Sequence, residues 1–138
     1  MYKIEFSTLT AEQWSYLRRS VNWTIHSNDD FNLAIKNSLL TVSVFYNDEI
    51  VGMARVTGDN RISFFIQDII VLPAYQKQGI GTLMLNAMLN YILKNAAPNA
   101  IIDLMASKGK ESFYEKLGYM KRDGKLKGFG MEMTINPN

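Results

Sequence analysis

The chain has 138 residues, of which 47% are hydrophobic and 20% are charged, and its formal net charge is +2. These values are typical of a globular domain with its own core, so the sequence predicts a single domain over residues 1–138. There is no cysteine and only one histidine, which excludes disulfides, thiol catalysis and a multi-histidine metal site. We therefore expect no metal cofactor.

Charge and hydropathy also limit the partners that we expect. The small net charge gives no support to a nucleic-acid partner. No apolar run approaches the ~18 residues that a membrane-spanning helix needs, and the N-terminus has no apolar signal region. The sequence predicts a cytoplasmic protein without a membrane partner.

The N-terminal part of the chain predicts a first strand followed by two helices. A capping-box pattern at residues 10–13 precedes apolar residues at helical spacing, which predicts a helix near residues 11–22. Asp29 and Asp30 precede a second apolar-periodic segment, and we expect them to cap a second helix there.

The remainder alternates between β-rich and helix-periodic segments. Predicted helices cover residues 80–92 and 110–117, the second ended by Gly118. The further predicted strands are residues 41–45, 50–56, 61–72, 101–105, 119–122 and 128–135. Consecutive strands imply hairpins, whereas strand–helix–strand implies a parallel crossover. The sequence therefore predicts an α/β (α+β) fold, with a mixed, mostly antiparallel sheet of six to seven strands and about four helices on both faces.

A glycine-containing junction links the long predicted strand to the long predicted helix. It reads DIIVLPAYQKQGIGTLM over residues 68–84. A helix start presents unpaired N–H groups and the positive end of the helix dipole, and glycine lets the backbone approach an anion. The Walker pattern and the third glycine of the dinucleotide fingerprint are both absent. Residues 76–82 indicate a phosphate cradle, with a tight turn that packs the helix on the sheet as the alternative.

Two longer motifs resemble a known family. Gln76-x-x-Gly79-x-Gly81, between a strand and a long helix, closely resembles the acyl-coenzyme A motif of the GNAT superfamily of N-acetyltransferases. The segment FYEKLGY at residues 113–119 is similar to the FYEKLGF segment of that family. The two motifs cover residues 68–119 in the family's order. The resemblance implies a GNAT fold and an acetyl-CoA-dependent N-acetyltransferase.

The resemblance also implies which backbone groups bind the coenzyme. The strand before the junction would bind the pantetheine arm through its main chain at Ile69, Ile70 and Val71. Many relatives carry an asparagine seven positions before the motif tyrosine, where this chain has Ser107, so we expect that contact to be weaker or made differently. The amides that would hold the pyrophosphate follow Gln76 and belong to Lys77, Gln78, Gly79, Ile80, Gly81 and Thr82.

Two residues are candidates for proton transfer. Tyr114 matches the family tyrosine that acts as general acid, and the alternative is a tyrosine packed beside Phe113. Asp68 interrupts an apolar strand, where a carboxylate is costly to bury without a partner. It is therefore either a general base in a cleft or the ion-pair partner of Arg55. Family members often use a water chain, so a single base residue is not required.

The acceptor is not identified by the sequence. A small molecule with a primary amine suits the short chain, and a peptide or protein amine is an alternative. A non-catalytic acyl-CoA sensor is a second alternative. The C-terminal segment KGFGMEMTI either completes the sheet or pairs across a homodimer.

Overall fold

The computed structural model describes residues 1–135. They divide into two compact units, Met1–Leu104 and a second that begins at Met105. Among the described residues, no helix combines the length and the hydropathy needed to cross a membrane. The first unit contains, in chain order, β1 (Tyr2–Phe6), α1 (Ala11–Ser20), α2 (Asn28–Asn37), β2 (Leu40–Tyr46), β3 (Glu49–Gly58), β4 (Ser63–Val71), α3 (Ile80–Asn95) and β5 (Ile101–Leu104).

The starts of the first two helices are set by hydroxyl side chains. At α1 the predicted capping box forms, because Gln13 N donates to Thr10 Oγ1 at 3.1 Å and Thr10 N donates to Gln13 Oε1 at 3.0 Å. At α2 the cap is Ser27, whose Oγ accepts from Asp30 N at 3.1 Å. The prediction that Asp29 and Asp30 cap this helix was wrong. Both lie in its first turn, where their charges still interact favourably with the helix dipole.

One five-stranded sheet forms the centre of the first unit. Its strand order β1-β2-β3-β4-β5 is the order of the chain. The first three pairings are antiparallel, and β5 pairs with β4 in parallel after the α3 crossover. A mixed, mostly antiparallel sheet was predicted and is confirmed, but the predicted six to seven strands are not: the described residues form five.

Helices cover both faces of the sheet. Ile80 and Met84 of α3 pack on β3 at Gly52. Trp14 of α1 packs on Arg55, which is three residues further along β3 and therefore on the opposite face. Trp14 also contacts Phe31 of α2, with ring centroids 4.6 Å apart, and both side chains are fully buried. The core therefore lies on both sides of β2, β3 and β4.

The second unit contains one short helix, α4 (Glu111–Glu115). The helix was predicted over residues 110–117 with Gly118 at its end, but α4 ends at Glu115 with Lys116 as its C-cap. Gly118, with φ = 98°, lies in the turn that follows. Residues 119–122 and 128–135 were predicted to be strands, but the described chain has no strand after Leu104. A strand needs a hydrogen-bonded neighbour, and no ladder pairs these two segments in the structure.

Candidate active site

The loop between β4 and α3 is compact and bends sharply. A 3-10 turn (Pro73–Tyr75) follows β4, and then Lys77 and Gly79 adopt left-handed conformations, with φ of 63° and 88°. The side chain of Gln76 turns back, since its Nε2 donates to Val71 O at 3.0 Å. This glutamine therefore ties the loop to the end of β4.

The start of α3 presents a run of free backbone amides. Within residues 1–135, the N–H groups of residues 77–82 find no hydrogen-bond acceptor. Gly79 is the N-cap residue and offers no side chain, and a Cβ added there meets no atom within 4 Å. Free amides, the positive end of a helix dipole and open space are together what a phosphate group requires. The geometry fits the pyrophosphate of coenzyme A.

Tyrosine side chains brace this loop, which the sequence patterns did not predict. Tyr2 of β1 donates a short hydrogen bond to Gln78 Oε1. Tyr46 lies between Tyr2 and Tyr75, with ring centroids 5.6 and 5.8 Å away. These residues come from β1, β2 and the loop, so no sequence periodicity connects them. Only the register of β1 with β2, which places Tyr2 opposite Tyr46, brings the row together.

Glu49 at the start of β3 fixes the same loop to α1. Its Oε2 accepts from Tyr16 Oη at 2.9 Å and its Oε1 accepts from Tyr75 Oη at 3.4 Å. The hydrogen bond to the Glu49 carboxylate raises the pKa of Tyr16, and desolvation followed by the charge of Glu49 raises the pKa of Tyr75. Both phenols therefore stay protonated and act as donors at neutral pH.

The last part of β4 has a free edge. Its pairing with β5 ends at Ile66, whereas the strand continues to Val71. Residues 67–71 therefore have no β5 partner on that side, while Ile70 and Val71 still pair with β3 on the other. The main chain at Ile69, Ile70 and Val71, assigned to the pantetheine arm by resemblance, belongs to this unpaired stretch. A strand with a free edge can add an extended ligand through main-chain hydrogen bonds.

Asp68 lies in a buried ion-pair network. Its Oδ2 accepts from Arg55 Nε at 2.8 Å, so the ion pair considered in the sequence is present. Its Oδ1 accepts from Arg18 Nη2 at 2.7 Å, and the side chain is only 5% exposed. Arg18 was missed, because it lies in α1, fifty positions away in sequence. The role of Asp68 as a general base stays a prediction.

Tyr114 and Ser107 belong to the second unit. The ring of Tyr114 lies 5.0 Å from that of Phe113 and 6.1 Å from that of Tyr119, centroid to centroid. Burial, and secondarily Tyr119, raises the pKa of Tyr114, so its phenol keeps its proton at neutral pH. Ser107 is exposed, and its carbonyl accepts from Lys110 N at 2.9 Å in the loop before α4.

Comparisons with known proteins identify the family of the chain. A curated relative named as the uncharacterized N-acetyltransferase ycf52 of Pyropia yezoensis is 31% identical over 113 residues, which cover 79% of this chain and 64% of the relative. Histone acetyltransferase TAP1 of Glycine max is 29% identical over 119 residues, 78% of this chain and 51% of that protein. The chain thus spans less than two thirds of the length of these relatives.

A solved structure agrees over nearly the whole chain. A probable acetyltransferase from Staphylococcus aureus superposes with a TM-score of 0.86 at 28% identity, covering 96% of this chain and all of that one. The family model of the acetyltransferase (GNAT) domain matches residues 7–134, which cover most of the first compact unit and continue into the second. The chain belongs to the GNAT family of acetyltransferase domains.

Proposed function

We propose that the protein is an acetyl-CoA-dependent N-acetyltransferase that acts on the primary amine of a small molecule. The observation that carries this proposal is the run of free amides at residues 77–82, beside a β4 edge that is unpaired over residues 67–71. The first can hold a pyrophosphate and the second can hold an extended arm, which are the two adjoining parts of coenzyme A.

Three groups of the chain then have roles in acetyl transfer. When bound, acetyl-CoA supplies an acetyl group activated as a thioester. The amides of residues 77–82 bind its pyrophosphate, and the main chain of residues 69–71 aligns the pantetheine arm. Tyr114 donates its phenolic proton to the leaving thiolate, a role that rests on its place in the FYEKLGY motif.

The acceptor amine must lose a proton before it can attack. Asp68 is the candidate base, but each of its oxygens already accepts a hydrogen bond from an arginine. Direct proton abstraction would require one of these charge-assisted bonds to open. This favours a route in which water carries the proton away, with Asp68 at most an indirect participant.

The proposal extends to the domain and the acceptor. One domain over residues 1–138 is supported by a family match that runs across both compact units. A peptide or protein amine is the second candidate acceptor, because a relative carries the name histone acetyltransferase. Assembly as a homodimer is part of the same proposal.

Titration calorimetry with acetyl-CoA, followed on the same sample by an assay for released thiol, tests the function. The amine panel contains polyamines, amino sugars, arylalkylamines, amino acids and a lysine-containing histone-tail peptide. Binding with thiol release on a small amine is the expected result, whereas release on the peptide alone would move the acceptor to proteins. Binding without turnover on any amine would favour the sensor, and no binding would refute the phosphate cradle.

A further inference from the structure

Strand β4 contains a bulge whose first residue is Asp68. Met53 pairs with Ile70 and Arg55 pairs with Gln67, so Ala54 alone faces the two residues Asp68 and Ile69. Asp68 has φ = 54°, a left-handed conformation that residues other than glycine rarely adopt inside a strand. Such a conformation persists only where surrounding contacts hold it in place.

The contacts that hold it are the two arginines. Arg18 reaches Asp68 from the last turn of α1, and Arg55 reaches it from β3. Arg55 Nη2 also donates to Gln67 Oε1, so one guanidinium binds the bulge residue and the residue before it. All three charged side chains are largely buried, with exposures of 15% for Arg18, 14% for Arg55 and 5% for Asp68.

Each arginine also contacts residues other than Asp68, which fix its guanidinium group. The Arg55 guanidinium lies 4.8 Å from the centroid of the Trp14 ring. The Arg18 guanidinium lies 5.6 Å from the same ring, and its Nη1 donates to Thr24 O at 2.9 Å. The segment between α1 and α2, the helix α1 and the bulge of β4 are therefore joined through one side chain.

We propose that Arg18 and Arg55 are positioning residues for acetyl transfer. By fixing the Asp68 carboxylate they hold the bulge in its left-handed conformation, which sets the direction of the main chain at residues 69–71. This inference rests on the proposed function, since residues 69–71 are the segment assigned there to the coenzyme. Arg18 extends the effect to α1 and, through its hydrogen bond to Thr24 O, to the segment between α1 and α2.

A positioning role of the two arginines and a general-base role of Asp68 predict different activities for the arginine variants. A base needs only the Asp68 carboxylate, which Arg18→Met and Arg55→Met both retain. The cluster of Arg18, Arg55 and Asp68, called the clamp below, needs all three side chains to hold the bulge. Loss of any one should therefore misplace the main chain of residues 69–71. A double variant should then cost little more than the worse single variant, because residues that act as a unit are not additive.

The experiment compares Arg18→Met, Arg55→Met, Asp68→Asn and the Arg55→Met/Asp68→Asn double variant with the wild type. Glu5→Gln is the matched control, because it removes an ion pair with Lys3 that lies on the exposed surface. Calorimetry measures the affinity for acetyl-CoA, and steady-state assays on the best amine measure kcat and KM. Hydrogen exchange measures the protection of the amides of residues 68–71. Arg55→Lys keeps the charge without the guanidinium fork and serves where the methionine variant does not fold.

For the single variants we expect kcat/KM to fall by about tenfold to a hundredfold, with faster exchange over residues 68–71, whereas the control stays at the wild-type level. Arg55→Lys should recover only part of the activity. Folded arginine variants with wild-type affinity, kinetics and exchange would overturn the inference. So would a loss confined to Asp68→Asn together with loss of the acidic limb of its pH–rate profile, which would identify Asp68 as the base.

Failure of the proposed function would be recognised separately. A wild-type protein that binds no acetyl-CoA refutes that function and, with it, a role of the clamp in transfer. A wild-type protein that binds acetyl-CoA but has no turnover leaves affinity and hydrogen exchange as the deciding measurements. Unchanged values of both in the arginine variants would then refute the clamp alone.

Discussion

Gly79 combines a backbone that favours glycine with open space in front of it. Its φ of 88° strains any other residue, and an added Cβ meets no atom within 4 Å. A side chain here would enter the volume over the start of α3 without disturbing the core. The position can therefore separate the effect of charge from the effect of strain.

We predict that Gly79→Gln weakens acetyl-CoA binding and that Gly79→Glu weakens it further, by about tenfold or more at low salt. The two side chains have the same size and impose the same strain, so the difference reports a negative charge beside the phosphate site. Calorimetry at two salt concentrations measures it, and the difference should shrink as salt rises. Equal dissociation constants for the two variants would show that no anion binds there.

Tyr114 is the second residue with a distinct prediction. Tyr114→Phe should lower kcat by about a hundredfold or more while the affinity for acetyl-CoA changes little. The donor form is the protonated phenol, and burial raises its pKa above the usual value of 10.0. In the wild type this donor is therefore lost in an alkaline limb whose midpoint lies above pH 10.0, and the variant should lack that limb. A pH–rate profile with an unchanged kcat in the variant would remove Tyr114 from the mechanism.

At the scale of single residues, sequence patterns identify what local chemistry determines. Gly79 was predicted to let the backbone turn tightly or approach an anion, and its φ of 88° agrees with either. The ion pair of Asp68 with Arg55 was one of two alternatives for a carboxylate in an apolar strand, and it is present. Arg18 and the tyrosine row do not follow, because they meet the site only through tertiary packing. No periodic spacing of residues in the sequence predicts these tertiary contacts.

Among the elements, the turn between β3 and β4 depends on one carboxylate. Asp59 Oδ1 accepts from the backbone N–H groups of Arg61, Ile62 and Ser63 at 2.8, 2.9 and 3.0 Å. These hydrogen bonds, that of Ser63 first, lower the pKa of Asp59 below its usual value of 3.8. The turn sets the start of β4 and so contributes to the register on which the bulge depends.

We predict that Asp59→Ala lowers the melting temperature by a few degrees at neutral pH, and that Asp59→Asn, which keeps an acceptor, lowers it less. Because the folded-state pKa is lowered, the contribution is complete above the unfolded-state pKa and is lost as pH falls through the folded-state value. The difference between the wild type and Asp59→Ala should therefore narrow in acid, where the protonated carboxyl is left as a neutral acceptor like the amide of Asp59→Asn. Thermal melts from neutral pH to pH 2 measure this, and a constant difference over that range would contradict it.

Element boundaries show where local signals are sufficient. The α1 cap was predicted because both partners of the box lie within four residues. The α2 cap was misassigned because Ser27 and two aspartates are all good capping residues, and only the backbone conformation at Ser27 selects among them. Propensity identifies the helix, and geometry selects the residue at which it begins.

For the whole molecule, the predicted order of elements is confirmed as far as α4. The C-terminal segment differs, since Met131, Met133 and Ile135 alternate as in a strand but remain exposed and without a ladder in the structure. A two-residue period shows which side chains share a face. It does not supply the neighbouring edge that a strand needs, and so it cannot count the strands of a sheet.

The strand order of the sheet has a consequence for how the molecule folds. β2, β3 and β4 are joined by the short turns at residues 47–48 and 59–62, so their pairing closes small loops at low entropic cost. Adding β1 encloses α1 and α2, and adding β5 encloses α3, so both outer pairings close much longer loops. Folding should therefore nucleate in the central meander and spread outward in both directions. Residues 67–71 of β4 then pair with β3 early, whereas the ion pair of Asp68 with Arg18 waits for α1 to pack on the sheet.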